Sequence, residues 1–257
     1  MKVLITAGGT TEPIDSVRSI TNTSTGRLGS LIGERYEKMV DITKIYYVCG
    51  KNSIVPEAEK VEVVLIDTVS DLEKTVRKIL DKDEIDIIIH SMAVSDYRVQ
   101  AVTTASIISN AINSKLSSLD ANLQDITEKF IKSLFQADEN SLCNDGKLRS
   151  DFKDLILYME KTPKIISIFK TIAPQAILVG FKLLDNVRVE ELINTAFQVL
   201  QENKCSFVLA NDLREISTEK HVGYLIDENK NYTRCTTKEE IADTIVLATM
   251  NRKRESI

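Results

Sequence analysis

The sequence predicts an α/β protein: a Rossmann-like, doubly wound, mostly parallel sheet with flanking helices, a helical insertion or flap, and a C-terminal β-hairpin. Hydrophobic runs of strand length recur, and they alternate with stretches whose apolar residues have helical spacing. Most runs are continuous, which is typical of strands buried on both faces of a parallel sheet. The predicted strands are 2–7, 42–48, 61–66, 85–90, 176–181 and 206–210, and the predicted helices are 26–40, 68–80, 163–172 and 187–203.

Two regions interrupt the alternation of strands and helices. Residues 99–146 are rich in Ser, Asn, Thr and Ala, and they predict an insertion of two helices that ends in the turn Asn144-Asp145-Gly146 and leads into a flap. We expect this insertion to belong to a single domain, 1–257. A strand at 155–160 follows it. Near the C-terminus, a hairpin is expected around residues 228–230, followed by a last helix at 238–250.

Hydropathy, net charge and the numbers of cysteines and histidines argue against several classes of protein. No apolar run approaches the roughly 18 residues of a membrane span, and the N-terminus has no signal-peptide features, so we expect a cytoplasmic protein without membrane partners. A net charge of −5 argues against nucleic-acid binding, and an anionic ligand would need local cations. Four cysteines without a CxxC pair and only two histidines make a structural zinc site unexpected.

The segment after the first predicted strand is rich in glycine and hydroxyl residues. Gly8 and Gly9 can let backbone amides approach a phosphate, or they can serve only the geometry of the turn. Gly26 leaves the amino end of the next helix open to an anion. Ser24 or Thr25 can cap that helix.

The same connection is longer than the usual loop of roughly 2 to 6 residues, which favours a functional role. Arg18 can bind a carboxylate or phosphate with two hydrogen bonds, and Asn22 can donate to a carbonyl or carboxylate oxygen. A nicotinamide dehydrogenase is a poor fit because the GxGxxG spacing is absent. Tyr47, in a YxxxK spacing, lies in the second predicted strand and is interpreted as a strand aromatic.

Polar or aromatic residues also follow later strands. Asp96 can accept hydrogen bonds from sugar hydroxyls or help to hold hydrated Mg²⁺, or it can cap a turn. Lys147 can act as a mobile arm that neutralises charge on a leaving group, or it can be a solvated surface charge. Phe181 can pack on a nucleobase or fill the rim of the core. From the residues alone, these alternatives stay open.

Taken in order, these segments resemble the phosphopantothenate–cysteine ligase family of coenzyme A biosynthesis, specifically its free-standing bacterial form. The likeness lies in GGTTEPIDSVRSITNTSTGRLG, AVSDYR, KLRS, TPKI, VGF and LAND. It implies that 4′-phosphopantothenate attacks CTP to give an acyl-cytidylate and pyrophosphate, and that L-cysteine then displaces CMP. It also implies Mg²⁺, a homodimer, and a separate decarboxylase that takes the product. An ATP-using ligase and a non-catalytic nucleotide-binding module are the alternatives.

The resemblance implies roles for individual residues. Asn22 would hold the activated carboxyl group, with Arg18 as its companion, and Lys147 would be the flap lysine. The predicted nucleotide and substrate contacts, including the glycines above, are Gly8, Gly9, Ser24, Gly26, Met92, Ala93, Asp96, Thr162, Pro163, Lys164, Ile165 and Phe181. Asp96 is the candidate metal ligand. Met92 replaces the usual alanine and is expected to narrow the pocket. KLRS keeps the first lysine of the family's Lys-x-Lys-Lys and exchanges the other two for Arg149 and Ser150.

Overall fold

The structure is a computed structural model that describes residues 1–118, 128–142, 146–217 and 220–255. These residues form two compact units. The first consists of Met1–Thr10, Asn22–Val94 and Lys164–Ile257, and the second consists of Thr11–Thr21 and Ser95–Pro163. Of the predicted turn, Asn144 and Asp145 lie outside the described residues.

The strands are β1 (Lys2–Ala7), β2 (Thr11–Pro13), β3 (Ser19–Thr21), β4 (Lys44–Gly50), β5 (Val61–Ile66), β6 (Ile87–His90), β7 (Tyr97–Thr103), β8 (Ile156–Lys161), β9 (Ile177–Leu184), β10 (Phe207–Asp212), β11 (Gly223–Asp227) and β12 (Tyr232–Cys235). The α-helices are α1 (Arg27–Glu37), α2 (Val69–Lys82), α3 (Ala105–Ser118), α4 (Glu128–Gln136), α5 (Ile165–Ile172), α6 (Val189–Asn203) and α7 (Lys238–Glu255). Within the described ranges, every helix is too short or too polar to cross a membrane.

The first unit contains an eight-stranded sheet in the order β12-β11-β10-β9-β6-β1-β4-β5. All neighbours from β10 to β5 are parallel, and β11 and β12 form the predicted antiparallel hairpin. The mostly parallel α/β fold is therefore confirmed. The chain runs from β1 outward to β4 and β5, then returns to β6 on the other side of β1. Ligands in such sheets bind at the carboxyl ends of strands where the order reverses.

Helices cover both faces of this sheet, which explains why its strands are continuously apolar. In β1, Val3, Leu4 and Ile5 are all fully buried. Leu4 belongs to a hydrophobic cluster with residues of α2, α5 and α6, whereas Val3 and Ile5 belong to a second cluster with residues of α1 and α7. Burying one such side chain contributes about 1.5–3 kcal/mol, so this double-sided burial holds β1 at the centre of the sheet.

The second unit contains two small antiparallel sheets, β2 with β3 and β7 with β8. The two helices expected in 99–146 are confirmed as α3 and α4, and the strand expected at 155–160 is β8. Strand β7 was not predicted because its outer half, Tyr97–Gln100, is largely exposed and lacks an apolar run. The longer segment of this unit runs from Ser95 to Pro163 and so extends beyond the predicted insertion on both sides. The assignment of 1–257 as one domain stays a prediction.

Candidate functional site

The carboxyl ends of β1 and β6 are neighbours, and hydrogen bonds join the loops that follow them. The Ala93 amide donates to the Gly8 carbonyl at 2.8 Å, and the Thr10 amide donates to the Ala93 carbonyl at 3.1 Å. The Asn22 amide then donates to the Thr10 carbonyl at 3.3 Å. One backbone network of the first unit therefore brings together three predicted site residues, Gly8, Ala93 and Asn22, at the point where the strand order reverses.

Close packing explains the glycines of this network. A Cβ atom on Gly9 would lie 2.3 Å from the carbonyl oxygen of Asn22. Gly8 has φ 77°, and a Cβ there would lie 1.8 Å from Ser53 Oγ. Gly26 has φ 72° and also packs against Ser53. These positions exclude a side chain, and they therefore bring the backbones of three loops into close approach.

Gly26 is also the N-cap residue of α1, in the left-handed conformation and without a side-chain hydrogen bond. The prediction that Ser24 or Thr25 caps α1 is wrong, because a glycine-favouring backbone occupies the cap position and the hydroxyl residues precede it. Ser24 is exposed, and Thr25 Oγ1 accepts a long hydrogen bond from the Arg27 amide, at 3.4 Å, from its position before the cap. The first turn of α1 also lacks an acidic residue. The first turn itself therefore supplies no carboxylate that would compete with an anion for the positive end of the helix.

Tyr47 lies in β4 and is buried, as expected for a strand aromatic. Its hydroxyl donates to the carbonyl of Ile54 at 2.9 Å and lies 3.3 Å from that of Gly26. Burial raises the pKa of the Tyr47 hydroxyl well above its ordinary value. Tyr47 therefore supports the loop beneath the start of α1.

Two of the residues predicted to contact nucleotide or substrate have side chains in the hydrophobic core. Met92 is 6% exposed and Ile165 is 2% exposed, and both belong to the cluster that contains Phe169. The flexible side chain of Met92 packs into this core, and the expectation that it narrows a ligand pocket stays a prediction. Ile165 is the first residue of α5. Its side chain is thus used in packing, and a ligand contact there would have to involve its backbone.

His90 ends β6, next to the end of β1. Its Nδ1 atom lies 2.7 Å from Thr6 Oγ1, and its ring packs edge-on against Phe169 at 5.0 Å. Burial lowers the pKa of His90 to about 4. The imidazole is therefore neutral at physiological pH and has a structural role below the loop that carries Ala93.

The remaining predicted contacts of the first unit lie at the ends of α5 and β9. Lys164 is exposed and is the N-cap residue of α5, without a side-chain cap hydrogen bond. Phe181 is half-buried and packs against the cluster shared with α1 and α7. Because Phe181 is only partly buried, packing on a base and filling the rim of the core are both compatible with this position.

Residues at the end of β10 were not assigned a role from the sequence. The Asp212 carboxylate accepts hydrogen bonds from the amides of Val187, Arg214 and Asn186 at 2.8, 2.9 and 3.1 Å. These hydrogen bonds lower the pKa of the Asp212 carboxyl, and the one from the Val187 amide has the largest effect. Asp212 therefore shapes the loop that precedes α6. The neighbouring Asn211 lies in the buried end of the same strand.

In the second unit, Asp96 and Thr162 are brought together where β7 and β8 meet. The Thr162 amide donates to the Asp96 carbonyl at 3.0 Å, and its hydroxyl donates to the Ser95 carbonyl at 2.5 Å. Asp96 and Pro163 are exposed. Throughout the part of the chain that the structure describes, no three His, Cys, Asp or Glu side chains are grouped so that they could hold a metal ion.

Arg18 and the residue after Lys147 also meet in the second unit. Arg18 Nη2 donates to the Leu148 carbonyl at 3.3 Å, and the Leu148 amide donates to Asp15 Oδ2 at 3.1 Å. Lys147 itself is exposed. Hydrogen bonds from Val17, Arg18 and Leu148 hold the pKa of Asp15 below its ordinary value. The sequence analysis did not assign a role to Asp15, although aspartate is common in turns because its side chain accepts hydrogen bonds from nearby backbone amides.

Comparisons with known proteins agree with these motifs. The family model described as DNA/pantothenate metabolism flavoprotein C-terminal domain matches residues 1–134 and 136–252. The coenzyme A biosynthesis bifunctional protein CoaBC of Thermococcus kodakarensis is 29% identical over 247 residues, covering 95% of this chain and 49% of that protein. The chain thus spans about half the length of the curated relatives it matches.

Solved structures show the same architecture. The DNA/pantothenate metabolism flavoprotein from Streptococcus pneumoniae is 31% identical with a TM-score of 0.77, covering 98% of this chain and 99% of that one. A Cab2 variant in complex with phosphopantothenate-cysteine has a TM-score of 0.67 at 18% identity, covering 99% of this chain and 86% of that one, and it shows the fold alone. The family membership expected from the motifs is confirmed: this chain belongs to the DNA/pantothenate metabolism flavoprotein C-terminal domain family.

Proposed function

We propose that the chain is a phosphopantothenate–cysteine ligase that activates 4′-phosphopantothenate with CTP. Family membership supports this function, and a relative of the same fold has been solved with phosphopantothenate-cysteine. The observation that carries the proposal is the backbone network of Gly8, Ala93 and Asn22. It joins the loops after two neighbouring parallel strands, where ligands of such sheets bind, and it includes the asparagine that the family resemblance assigns to the activated carboxyl.

The proposed reaction has two steps. A carboxylate oxygen of 4′-phosphopantothenate attacks the α-phosphorus of CTP, and pyrophosphate leaves to give an acyl-cytidylate. The amine of L-cysteine then attacks the acyl carbon, CMP leaves, and the amine loses a proton. Such chemistry depends on positioning and charge neutralisation and needs no protein nucleophile.

Asn22 is proposed to hold the reacting carboxyl group. Its backbone is fixed by the hydrogen bond to Thr10, and the close approach of Gly9 limits its movement. A neutral amide can donate to a carboxylate or acyl oxygen without adding charge. The open amino end of α1 at Gly26 can accept a phosphate group on the same unit.

Arg18 and Lys147 are proposed to neutralise negative charge on the substrates. Arg18 keeps a planar guanidinium that can bind two oxygens, and Lys147 is an exposed point charge. In the KLRS segment, Arg149 donates two hydrogen bonds to Asp151, at 3.1 and 2.5 Å. Lys147 is therefore the cation of this segment that we assign to the triphosphate.

Mg²⁺ is proposed to arrive on the nucleotide. The donor set fits a metal bound mainly by phosphates and water, because Asp96 offers one exposed carboxylate and the described residues include no larger ligand cluster. When bound, Mg²⁺ would screen the charge of the triphosphate. Removal of Mg²⁺ with EDTA is expected to abolish pyrophosphate release.

The test is an assay of pyrophosphate release with CTP, Mg²⁺, 4′-phosphopantothenate and L-cysteine. We expect release that depends on 4′-phosphopantothenate and slows strongly when ATP replaces CTP. The alternative of a non-catalytic nucleotide-binding module predicts nucleotide binding without release. An equal rate with ATP would contradict the nucleotide assignment but leave the ligase intact.

Asn22→Asp tests the role of the asparagine. The variant is expected to lose most ligase activity, because it places a second negative charge beside the substrate carboxylate. Asn251→Asp is a matched control, since Asn251 is exposed on α7. Unchanged turnover in Asn22→Asp would contradict the assignment, whereas Asn251→Asp should behave as the wild type.

A homodimer and a separate decarboxylase that takes the product complete the proposal. Light scattering coupled to size-exclusion chromatography is expected to give twice the 28.8 kDa mass of the chain. Adding a phosphopantothenoylcysteine decarboxylase to the assay is expected to release CO₂ only when CTP and L-cysteine are both present.

A further inference from the structure

The β2–β3 hairpin carries Arg18 in its turn, and Asp15 closes that turn. Asp15 Oδ1 accepts hydrogen bonds from the amides of Arg18 at 2.7 Å and Val17 at 2.8 Å. The Arg18 carbonyl in turn accepts from the amide of Ile14 at 2.8 Å. One oxygen of the Asp15 carboxylate is therefore used to build the turn, as aspartate commonly does.

The second oxygen of Asp15 binds a segment far along the chain. Asp15 Oδ2 accepts from the Leu148 amide at 3.1 Å, while Arg18 Nη2 donates to the Leu148 carbonyl at 3.3 Å. Arg18 Nη1 lies 3.7 Å from Asp15 Oδ2, so the two side chains also form an ion pair. Both backbone polar groups of Leu148 are thus held by one charged pair on the hairpin.

The contacts of Asp15 and Arg18 with the Leu148 backbone form a buried anchor for this segment. The Asp15 side chain is 1% exposed and Leu148 is 5% exposed, and both lie in the second unit. A buried carboxylate is tolerated only when hydrogen bonds satisfy it. Hydrogen bonds to an ionised carboxylate are also stronger than those between neutral groups. Lys147, the cation assigned to the triphosphate, is directly next to the anchored residue.

We propose that Asp15 is a positioning residue: it anchors the backbone at Leu148 and thereby sets the position of Lys147. The consequence for catalysis rests on the proposed ligase function, but the anchoring does not. Arg149 takes no part in this anchor, because its guanidinium pairs with Asp151 on an exposed part of the segment.

Tryptic cleavage measures the anchor without any substrate. Trypsin cuts the peptide bond after Lys147, which contains the amide that Asp15 binds, and cleavage requires this segment to leave its place. Asp15→Asn can keep the turn oxygen but presents NH₂ to the Leu148 amide. We expect cleavage after Lys147 to become about tenfold faster or more, because the variant loses one hydrogen bond to a charged group and the segment opens more often.

Asp227→Asn is the matched control. Asp227 closes the β11–β12 turn through Oδ1, which accepts from the amides of Asn231 at 2.8 Å and Asn229 at 2.9 Å. Its Oδ2 binds the Asn231 side chain within the same turn. The control should therefore leave cleavage after Lys147 unchanged. Asp15→Ser is a second test variant, because a hydroxyl can close the turn but is too short to reach Leu148 as well.

A double-mutant cycle tests the consequence for catalysis. If Asp15 acts through Lys147, Asp15→Asn lowers kcat in the wild type but changes little in the Lys147→Gln background. Losses that multiply in the double variant would overturn the positioning role. Unchanged cleavage after Lys147 in both Asp15→Asn and Asp15→Ser would overturn the anchor. An inactive wild type would refute the ligase assignment, and the cleavage rates would still decide whether the anchor exists.

Discussion

Replacing Gly9 with alanine tests the packing that holds Asn22. The new Cβ would lie 2.3 Å from the Asn22 carbonyl oxygen, and both atoms adjoin rigid backbone. Because carbon–oxygen contacts normally begin near roughly 3.3 Å, the two loops would have to separate by about 1 Å. Overpacking of this kind costs about 1–3 kcal/mol, which lowers Tm by roughly 2–12 °C for a chain of this size. A shift of about 1 Å in a positioning group can reduce kcat/KM about 100-fold.

The assay compares Gly9→Ala with Gly33→Ala in thermal unfolding and in pyrophosphate release. Gly33 lies in α1, where a Cβ would meet the side-chain atom Pro56 Cγ at 3.2 Å, and alanine favours a helix over glycine by about 0.5–1 kcal/mol. The control should therefore stay close to the wild type. A Gly9→Ala protein with wild-type Tm and kcat/KM would refute the close approach. Lower Tm with unchanged kcat/KM would refute the role of this approach in catalysis.

Three further predictions concern single side chains. Lys147→Gln is expected to slow cytidylyl transfer without lowering Tm, because Lys147 is exposed; parallel losses of activity and Tm would contradict a flap role. Hydrogen bonds from the Lys2 ammonium, which has the largest effect, and from the Tyr46 hydroxyl lower the pKa of Asp83 to about 2. The stability from this contact is complete above about pH 4 and is lost as the pH falls towards 2, so urea unfolding of Asp83→Asn should depend less on pH in that range. Burial lowers the pKa of His90 to about 4, so the unfolded chain takes up a proton first as the pH falls below about 6.5. Unfolding free energy should fall by up to about 3 kcal/mol towards pH 4, and His90→Gln should reduce this fall.

The main sheet could be predicted because its local pattern and its burial agree. Strands such as β1 and β4 are continuous apolar runs, and the structure buries them on both faces. The β11–β12 hairpin could be predicted because turn residues separate two short strands. The hairpin β2–β3 could not, since each strand has only three residues and stability depends on pairing rather than on an apolar pattern.

The candidate site was only partly predictable, because strand ends can be located in the sequence but backbone conformation and contacts between distant residues cannot. Asn22 and Ala93 follow strands, so a general rule about strand ends identified both, and the structure joins them through Thr10. The failed cap at Ser24 depends on the positive φ of Gly26, which residue type alone does not show. Asp15 becomes noticeable only when its second oxygen is seen to bind Leu148, a contact between residues distant in sequence.

The two units alternate along the chain, and this has a consequence for protein synthesis. The hairpin segment Thr11–Thr21 leaves the ribosome long before Ser95–Pro163, the other part of its unit. Likewise, β1 pairs with β6 only after α2 has been made, and β9 comes later still. Neither unit can therefore complete its contacts as a nascent N-terminal fragment. Such non-local pairing slows folding and prolongs the time during which apolar strands need protection from aggregation.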